Sequence, residues 1–553
     1  MRGSLASSDK AGSLAEGGSG ARGLLSLCHL LLGRATVVPL VVFLLAAAVY
    51  GRTLAPTFTW SHDGADGGDL IAAVATLGVP HPSGYPTYVL LGRLFLQARF
   101  LGEPAVRLHW LSALCGASAA ALLACSIVES LRATPSASAA PRWLLDVAVA
   151  SATLIFAFSP LQWSQATIAE VHALNVAFVA ALFWLLLRWR RLRSPWLAVT
   201  AAFVYGLGLG NHLTGLLLLP VVILWFLRAG AGSRLTPLTW LGVAGAFLLG
   251  LGVYAYLPLA AMRRPPINWG DPRTWQRFWW LVSGRLYREA IFGVPTELAA
   301  GRLSAWARVL LDQYGWWGWA LAFAGIWRLS RRDRAVLTAS AYVFVTYSIY
   351  ALGYDRADSY VYLLPCCLVM SFWLGQGLIA PLQAIWWWRQ QATCRRQWLA
   401  PSPLLIASLL VALLPIVPLM GNWSVQDLRQ DWEAAEYAAS ALGAVGPDAL
   451  IVTSSDRTTF ALWYRRYALG ERDDVAIVNA GLWGFDWYRE TLATHHPAVA
   501  LADGERSPPE LAALMAANLR WRLVYVTQEA RDAAGEHPLQ PEGPLYRLQP
   551  HGR

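Results

Sequence analysis

Eleven apolar stretches, most of them near the length that crosses a bilayer, constrain what this chain can become more than any other feature. They lie near 37–51, 107–131, 143–160, 166–187, 196–210, 213–228, 238–260, 306–328, 335–352, 359–382 and 403–420. A spanning helix needs roughly 20 mostly apolar residues. Within hydrocarbon each backbone N–H and C=O must find its partner inside the segment, which favours helices. Of 553 residues, 56% are hydrophobic and only 14% charged, too apolar for a soluble chain of this size. The expected fold is an α-helical polytopic membrane protein with about 11 spanning helices. The pair 196–210 and 213–228 is short, and a single broken, re-entrant element is the alternative there.

The positions of the arginines set the topology. Arg188, Arg190, Arg191 and Arg193 follow one stretch, Arg328, Arg331, Arg332 and Arg334 a second, and Arg389, Arg395 and Arg396 a third. With a cytoplasmic N-terminus and eleven spans, all three clusters fall inside, as the positive-inside rule requires. The net charge is +10, but residues 1–420 carry +16 and residues 421–553 carry −6. A basic excess of this size suggests nucleic acid, yet these arginines sit at helix ends, and no nucleic-acid partner is expected. The loop 261–305 lies outside and still carries seven Arg, a departure that hints at function.

The expected organisation is a disordered cytoplasmic tail over 1–34, a membrane domain over 35–420 with outer loops 52–106 and 261–305, and an outer soluble α/β domain over 421–553. The protein is accordingly expected in the inner membrane if bacterial. The first stretch lacks a small-residue cleavage site and reads as an anchor. In the first outer loop, 70–77 and 87–101 are short and interrupted by Pro and Gly, which suits helices lying in the interface. A spanning 87–101 would put the arginine clusters on the wrong side. In the last domain, 427–442 and 458–469 are helix-like, and 449–453, 474–478 and 523–527 are strand-like. No glycine-rich phosphate loop follows any of these strands. The six cysteines (Cys28, Cys115, Cys125, Cys366, Cys367, Cys394) form no CxxC pattern, so neither zinc nor an outer disulfide is indicated.

Ionisable groups at membrane depth are costly, and so are functional candidates. Asp66 and Asp69 occupy the run Gly64-Ala65-Asp66-Gly67-Gly68-Asp69, where glycine lets the backbone approach a ligand. Asp66 suits a general base; Asp69 competes with a second role, capping the helix that starts near Leu70. His81, held between prolines, can orient a phosphate or carboxylate or simply pack in a turn. Gln165, Glu170 and His172 lie near one outer end, with Asn175 about a turn deeper and Asn211-His212-Thr214 at similar depth, which suggests an outward cavity; interhelical hydrogen bonding alone is the plainer account. In the loop 261–305, Arg263, Arg264, Arg285, Trp269 and Asp271 are candidates, since a guanidinium forks onto phosphate. A solvated basic loop near anionic headgroups is the simpler explanation. No HExxH spacing is present; a divalent metal is possible in principle without support from any motif.

Taken together, Gly64–Leu70 with His81-Pro82-Ser83-Gly84-Tyr85-Pro86 resembles the signature of the domain-of-unknown-function 2723 family, whose eukaryotic members are the transmembrane-protein-260-type protein O-mannosyltransferases. The resemblance extends to Trp163–Asn175, Gly206–His212, Tyr256–Leu259, Asn268–Pro272, Asp358–Pro365 and Thr453–Tyr464. The family is similar to the GT-C glycosyltransferases. That resemblance implies a lipid-phosphate sugar donor and a loop aspartate matched here by Asp66, with Asp69 at a position the family often fills with Glu. Ser83 replaces a frequent proline and His172 a frequent Tyr.

The implied activity is an inverting glycosyl transfer at the outer face, from a polyprenyl-phosphate sugar to a hydroxyl of a protein or glycan, by a chain embedded in membrane lipid. Asp66 is the expected base, and Arg285, with Arg263 or Arg264 as alternatives, is expected to meet the phosphate. Tyr85 and Trp269 are placed against the sugar or prenyl chain, and Asp358 in the donor site. Two rivals stand beside this: a transporter or flippase, for which no inverted repeat is visible, and a non-catalytic envelope assembly protein, which leaves Asp66 without a role.

Overall fold

The computed structural model describes residues 37–133, 140–227, 236–391, 403–501 and 510–550. The expected tail over 1–34, Cys28, Cys394, Arg395 and Arg396 lie outside the described residues. The membrane domain opens with α1 (Val37–Arg52), followed in the first loop by α2 (Gly67–Thr76) and α3 (Pro86–Phe95). Then come α4 (Pro104–Arg132), α5 (Arg142–Ala157), α6 (Pro160–Ala166), α7 (His172–Leu192), α8 (Pro195–Leu209), α9 (Leu219–Leu227) and α10 (Pro237–Leu251). α11 (Tyr256–Ala261) completes the span that α10 begins, and the second loop holds α12 (Trp275–Val282). The set closes with α13 (Ala299–Arg332), α14 (Arg334–Gly353), α15 (Leu364–Gln391), α16 (Pro403–Leu413) and α17 (Ile416–Gln426). Proline starts α3, α4, α6, α8, α10 and α16 at a position where its missing N–H costs nothing and its fixed φ favours the first turn.

Each of the eleven apolar stretches is a helix or a run of short helices, but not each is a span by itself. Among the described residues, six helices are long and apolar enough to cross a membrane, or seven if the pair α5 and α6, bent by 66°, is one span. α1, α8 and the 213–226 segment are apolar but shorter. The break expected between 210 and 213 is real: α8 stops at Leu209, and 213–218 is a 3-10 turn. The last span runs on to Gln426, past the expected boundary at 420.

Two ion-pair groups hold the end of the bundle opposite the first loop. Glu129 on α4 accepts from Arg188 (2.5 Å) and Arg191 (2.6 Å) on α7. Arg190 on α7 donates to both carboxylate oxygens of Asp333, between α13 and α14, at 2.8 and 2.9 Å. That pairing puts the first two arginine clusters on one face. α7 spans 21 residues from His172 to Leu192, about 30 Å at 1.5 Å per residue, so the arginines and His172 lie on opposite sides of the hydrocarbon.

The C-terminal domain is a small α/β layer, as expected. It comprises α18 (Glu433–Ala444), β1 (Leu450–Thr453), α19 (Asp456–Trp463), β2 (Ala476–Asn479), α20 (Asp486–His495), α21 (Leu511–Asn518), β3 (Val524–Thr527), β4 (Leu539–Glu542) and β5 (Leu545–Leu548). The sheet order is β2-β1-β3-β5-β4. β1 pairs parallel with β2 and β3, and β5 runs antiparallel to both β3 and β4. β1, β2 and β3 are buried along their whole lengths, as strands covered on both faces should be.

One correction concerns the first loop. α2 does not lie in the interface with a free face: Gly67 to Val74 are all buried. Gly68 meets α19 backbone to backbone, and a Cβ there would fall on the Phe460 carbonyl oxygen. The C-terminal domain therefore sits directly on the first loop. The second loop joins the same assembly through Val79, whose N–H donates to Ile267 O (2.8 Å) and whose carbonyl accepts from Trp269 N (3.0 Å).

Candidate functional site

Where the two loops, the span ends and the C-terminal domain meet, a cavity of about 710 Å³ opens, within the size range of ligand sites. Its wall includes Asp66, His81, Tyr85, Glu170, His172, His212, Trp269, Tyr287, Tyr354, Arg356, Asp358, Tyr362, Asp456 and Arg457.

The glycine-rich turn presents Asp66. A 3-10 turn over Ser61–Asp66 leads into α2, and Gly67 lies close to the Ala169 carbonyl. The Asp66 side chain keeps 43% exposure, directed into the cavity. Three residues on, Asp69 is fully buried, with both oxygens engaged. Its Oδ1 accepts from Trp269 Nε1 (2.9 Å), and its Oδ2 from the His81 backbone N–H (2.9 Å). The same Oδ2 lies 2.7 Å from His81 Nδ1. Asp69 thus makes no helix-capping bond and does not face the cavity; it fixes the ring that does. With Nδ1 held by Asp69, His81 Nε2 points toward Asp66 Oδ2 at 3.7 Å, an ion-pair separation rather than a hydrogen bond. The line Asp69, His81, Asp66 runs from the interior to the cavity.

The electrostatics follow from this arrangement. Burial works against charge on His81, but the Asp66 and Asp69 carboxylates outweigh it and raise its pKa to about 9. Removal from bulk water pushes Asp66 upward; the His81 charge pulls it back, and Asp69 and Asp63 add to the rise. Asp456, at the first turn of α19, is pushed up to about 6 by burial and by the neighbouring Asp66. A carboxylate moved toward neutrality is better matched to proton transfer than an ordinary one.

Aromatic rings build the rest of the wall. Tyr85 stacks on His212 with centroids 6.1 Å apart and donates to Pro82 O at 3.1 Å. His172, His212 and Tyr362 form a cluster with centroids 5.6 to 5.8 Å apart. Glu170 Oε1 is buried without a partner, while its Oε2 accepts from Val171 N at 3.2 Å. Asn211 lies behind this wall, donating to Val171 O at 3.1 Å.

The arginines of the second loop behave differently from expectation. Arg263, Arg264 and Arg285 are exposed and absent from the cavity wall. Asp271 is absent from it too: it accepts from Arg273 and Arg277, and Arg277 also reaches Glu490 (3.1 Å) and Asp486 (3.2 Å) on α20. These charges clasp the loop to the C-terminal domain. The guanidinium groups in the wall are Arg356 and Arg457. Arg356 lies over Tyr287 at 6.0 Å and forms no carboxylate pair among the described residues. Arg457 lies over Trp60 at 4.1 Å and pairs with Glu433 at 2.8 Å.

The sequence pattern does not single out Arg356, Tyr354, Asp456 or Arg457 as site residues. Asp456 had a signal, since it follows β1 at the carboxyl end of a parallel strand, where α/β layers place their ligands. Among the described residues, no three His, Cys, Asp or Glu side chains converge closely enough to hold a metal ion.

Comparison with known proteins meets this geometry. Residues 66–233 match the protein O-mannosyl-transferase TMEM260 N-terminal domain, and residues 434–497 match the TMEM260-associated domain 2. The first segment carries Asp66, His81, Glu170, His172 and His212, and the second carries Asp456 and Arg457, so both line one cavity. The chain is 30% identical over 487 residues to the mouse protein O-mannosyl-transferase TMEM260, covering 85% of this chain and 66% of the mouse protein. It is 22% identical over 514 residues to the Dictyostelium discoideum protein O-mannosyl-transferase tmem260, covering 84% of this chain and 60% of that one. The chain thus spans somewhat under two thirds of the length of these relatives. ArnT from Cupriavidus metallidurans, solved bound to undecaprenyl phosphate, superposes with a TM-score of 0.59 at 12% identity, over 93% of this chain and 98% of that one. The fold is GT-C-like, a helical membrane domain with a small C-terminal sheet domain.

Proposed function

We propose that this relative of the TMEM260 protein O-mannosyl-transferases is a membrane glycosyltransferase that moves a sugar from a polyprenyl-phosphate donor to an acceptor hydroxyl at the outer membrane face, with inversion. The observation that carries the reading is Asp66, turned into a cavity at one end of the membrane domain and backed by His81 and Asp69. Asp66 takes the proton of the acceptor hydroxyl as its oxygen bonds to the anomeric carbon. The bond from that carbon to the donor phosphate oxygen breaks, and the electron pair leaves with the phosphate. General-base help of this kind is worth about 10²- to 10⁴-fold in rate.

Arg356 takes the part expected of Arg285. It lies in the cavity wall and forms no ion pair with a carboxylate among the described residues, so its charge is available to the departing phosphate. Tyr85 and Trp269 offer faces to the sugar. Asp69 serves as a positioning residue, and Arg263, Arg264 and Asp271 lie away from the transfer. The gathering of acidic, basic and aromatic groups at one end of the bundle favours transfer over transport, which needs access from both sides. The test is purified protein with a polyprenyl-phosphate mannose and a Ser/Thr peptide. Asp66→Asn is expected to lose transfer while keeping its melting temperature; undiminished transfer would end the reading.

A further inference from the structure

A second cavity lies at the other end of the bundle, some 30 Å from the first by the length of α7. It measures about 170 Å³ and is framed by α7, α9 and α14. Two of its donors are stranded. Among the described residues, Arg193 Nη1 and Trp189 Nε1 are both buried without a hydrogen-bond partner. Burying a donor unmade is costly, and a charged one more so. Arg190, the other arginine of the groove, is neutralised by Asp333, whereas Arg193 forms no ion pair among the described residues and has only the Trp189 ring, at 5.3 Å.

The groove is graded in polarity. Its arginines sit where α7 ends, and α14 contributes Ala335, Thr338, Ala339 and Tyr342 as one helical face. Tyr342 lies eight positions beyond Arg334 along α14, about 12 Å deeper at 1.5 Å per residue. Val221 and Leu224 of α9 form the apolar side, and Leu224 and its neighbour Ile223 are 47% and 46% exposed on the outer surface of the bundle. A cation at the rim above an apolar slot open to the hydrocarbon matches an anionic lipid, headgroup up and acyl chain down.

We infer that this groove binds an anionic glycerophospholipid of the leaflet opposite the transfer cavity, its phosphate held by Arg193 and the Trp189 N–H and its acyl chain lying along Ala335 and Ala339. Basic pockets between spanning helices are recognised homes for such headgroups. The site is independent of the transfer reaction and stands whether or not the protein transfers sugar.

The full chain in a neutral detergent, titrated with phosphatidylglycerol and with phosphatidylcholine, is read by native mass spectrometry. Phosphatidylglycerol is expected to bind in preference, and Arg193→Gln to weaken it about tenfold or more. Arg332→Gln, which removes the same charge on the same face outside the groove, is expected to leave binding unchanged. Should Arg193→Gln fail to fold, Ala339→Trp fills the acyl slot without touching a charge and is expected to abolish the adduct. Equal binding of the two lipids, displacement by inorganic phosphate alone, or Arg193→Gln and Ala339→Trp binding as the parent does would each overturn the assignment.

Discussion

Trp269 Nε1 donates to Asp69 Oδ1 at 2.9 Å, a bond between residues 200 positions apart that ties the second loop to the floor of the first. The other oxygen of Asp69 holds His81, so the orientation of the ring facing Asp66 depends on both loops at once.

Asp69→Asn tests that dependence. An amide cannot accept through both atoms, so either Trp269 or His81 loses its partner. Transfer is expected to fall by about 10- to 100-fold, as when an orienting partner is removed behind a reactive group. A structural defect alone would lower the yield of folded protein without shifting the pH profile; a positioning role shifts its acid limb.

The pH dependence of transfer should carry the mark of Asp66. Its pKa is raised, so the rate is expected to climb with pH through a midpoint above the ordinary 3.8 of an aspartate as the carboxylate forms. Asp66→Asn should leave a flat residual rate over the same range. Initial rates from pH 4 upward supply the check.

Stability should vary with pH through His81. Its folded-state pKa is raised from 6.5 to about 9, so its contribution is complete below about pH 6.5 and fades as pH rises through about 9. The melting-temperature gap between wild type and His81→Gln is expected to be widest at and below about pH 6.5 and to narrow toward pH 10.

Arg356→Ala removes a guanidinium from the cavity wall. Losing one donor to a developing anion costs on the order of 10²- to 10³-fold in kcat. Arg285→Ala, on an exposed side chain outside the wall, is expected to leave the rate within about twofold. Equal losses for the two variants would place the phosphate elsewhere.

Gly68→Ala puts a methyl group against the Phe460 carbonyl, where neither backbone can move far. Overpacking of this kind costs about 1–3 kcal/mol. The expected outcome is a lower melting temperature and faster proteolytic release of the C-terminal domain.

Much of this architecture is legible in the sequence. The periodic apolar stretches give the helices, because hydrocarbon imposes one backbone solution on each. The alternating elements after residue 427 give β1, β2 and β3, since buried parallel strands are short continuous apolar runs. The hairpin β4–β5 is not legible in the sequence because Gln540, Pro541, Glu542 and Arg547 give it a polar, solvent-edge composition. Asp66, His81, Glu170, His172 and His212 were identifiable as costly polar groups in apolar surroundings, and they do line one cavity. The arginines were harder. An Arg in an outer loop looks the same whether it meets a ligand or a carboxylate, and only the fold reveals that Arg273 and Arg277 are occupied by Asp271 while Arg356 is not.

The contact of Gly68 with Phe460 also bears on how the site comes together during synthesis. The cavity takes its wall from residues as far apart along the chain as Trp60 and Phe485. A nascent chain that has inserted its helices but not delivered the segment from Ser454 onward has the carboxylate of Asp66 without a roof over it. That enclosure waits on Asp456, Arg457 and Phe460, so a molecule lacking them in the membrane has the floor of the site and no enclosure.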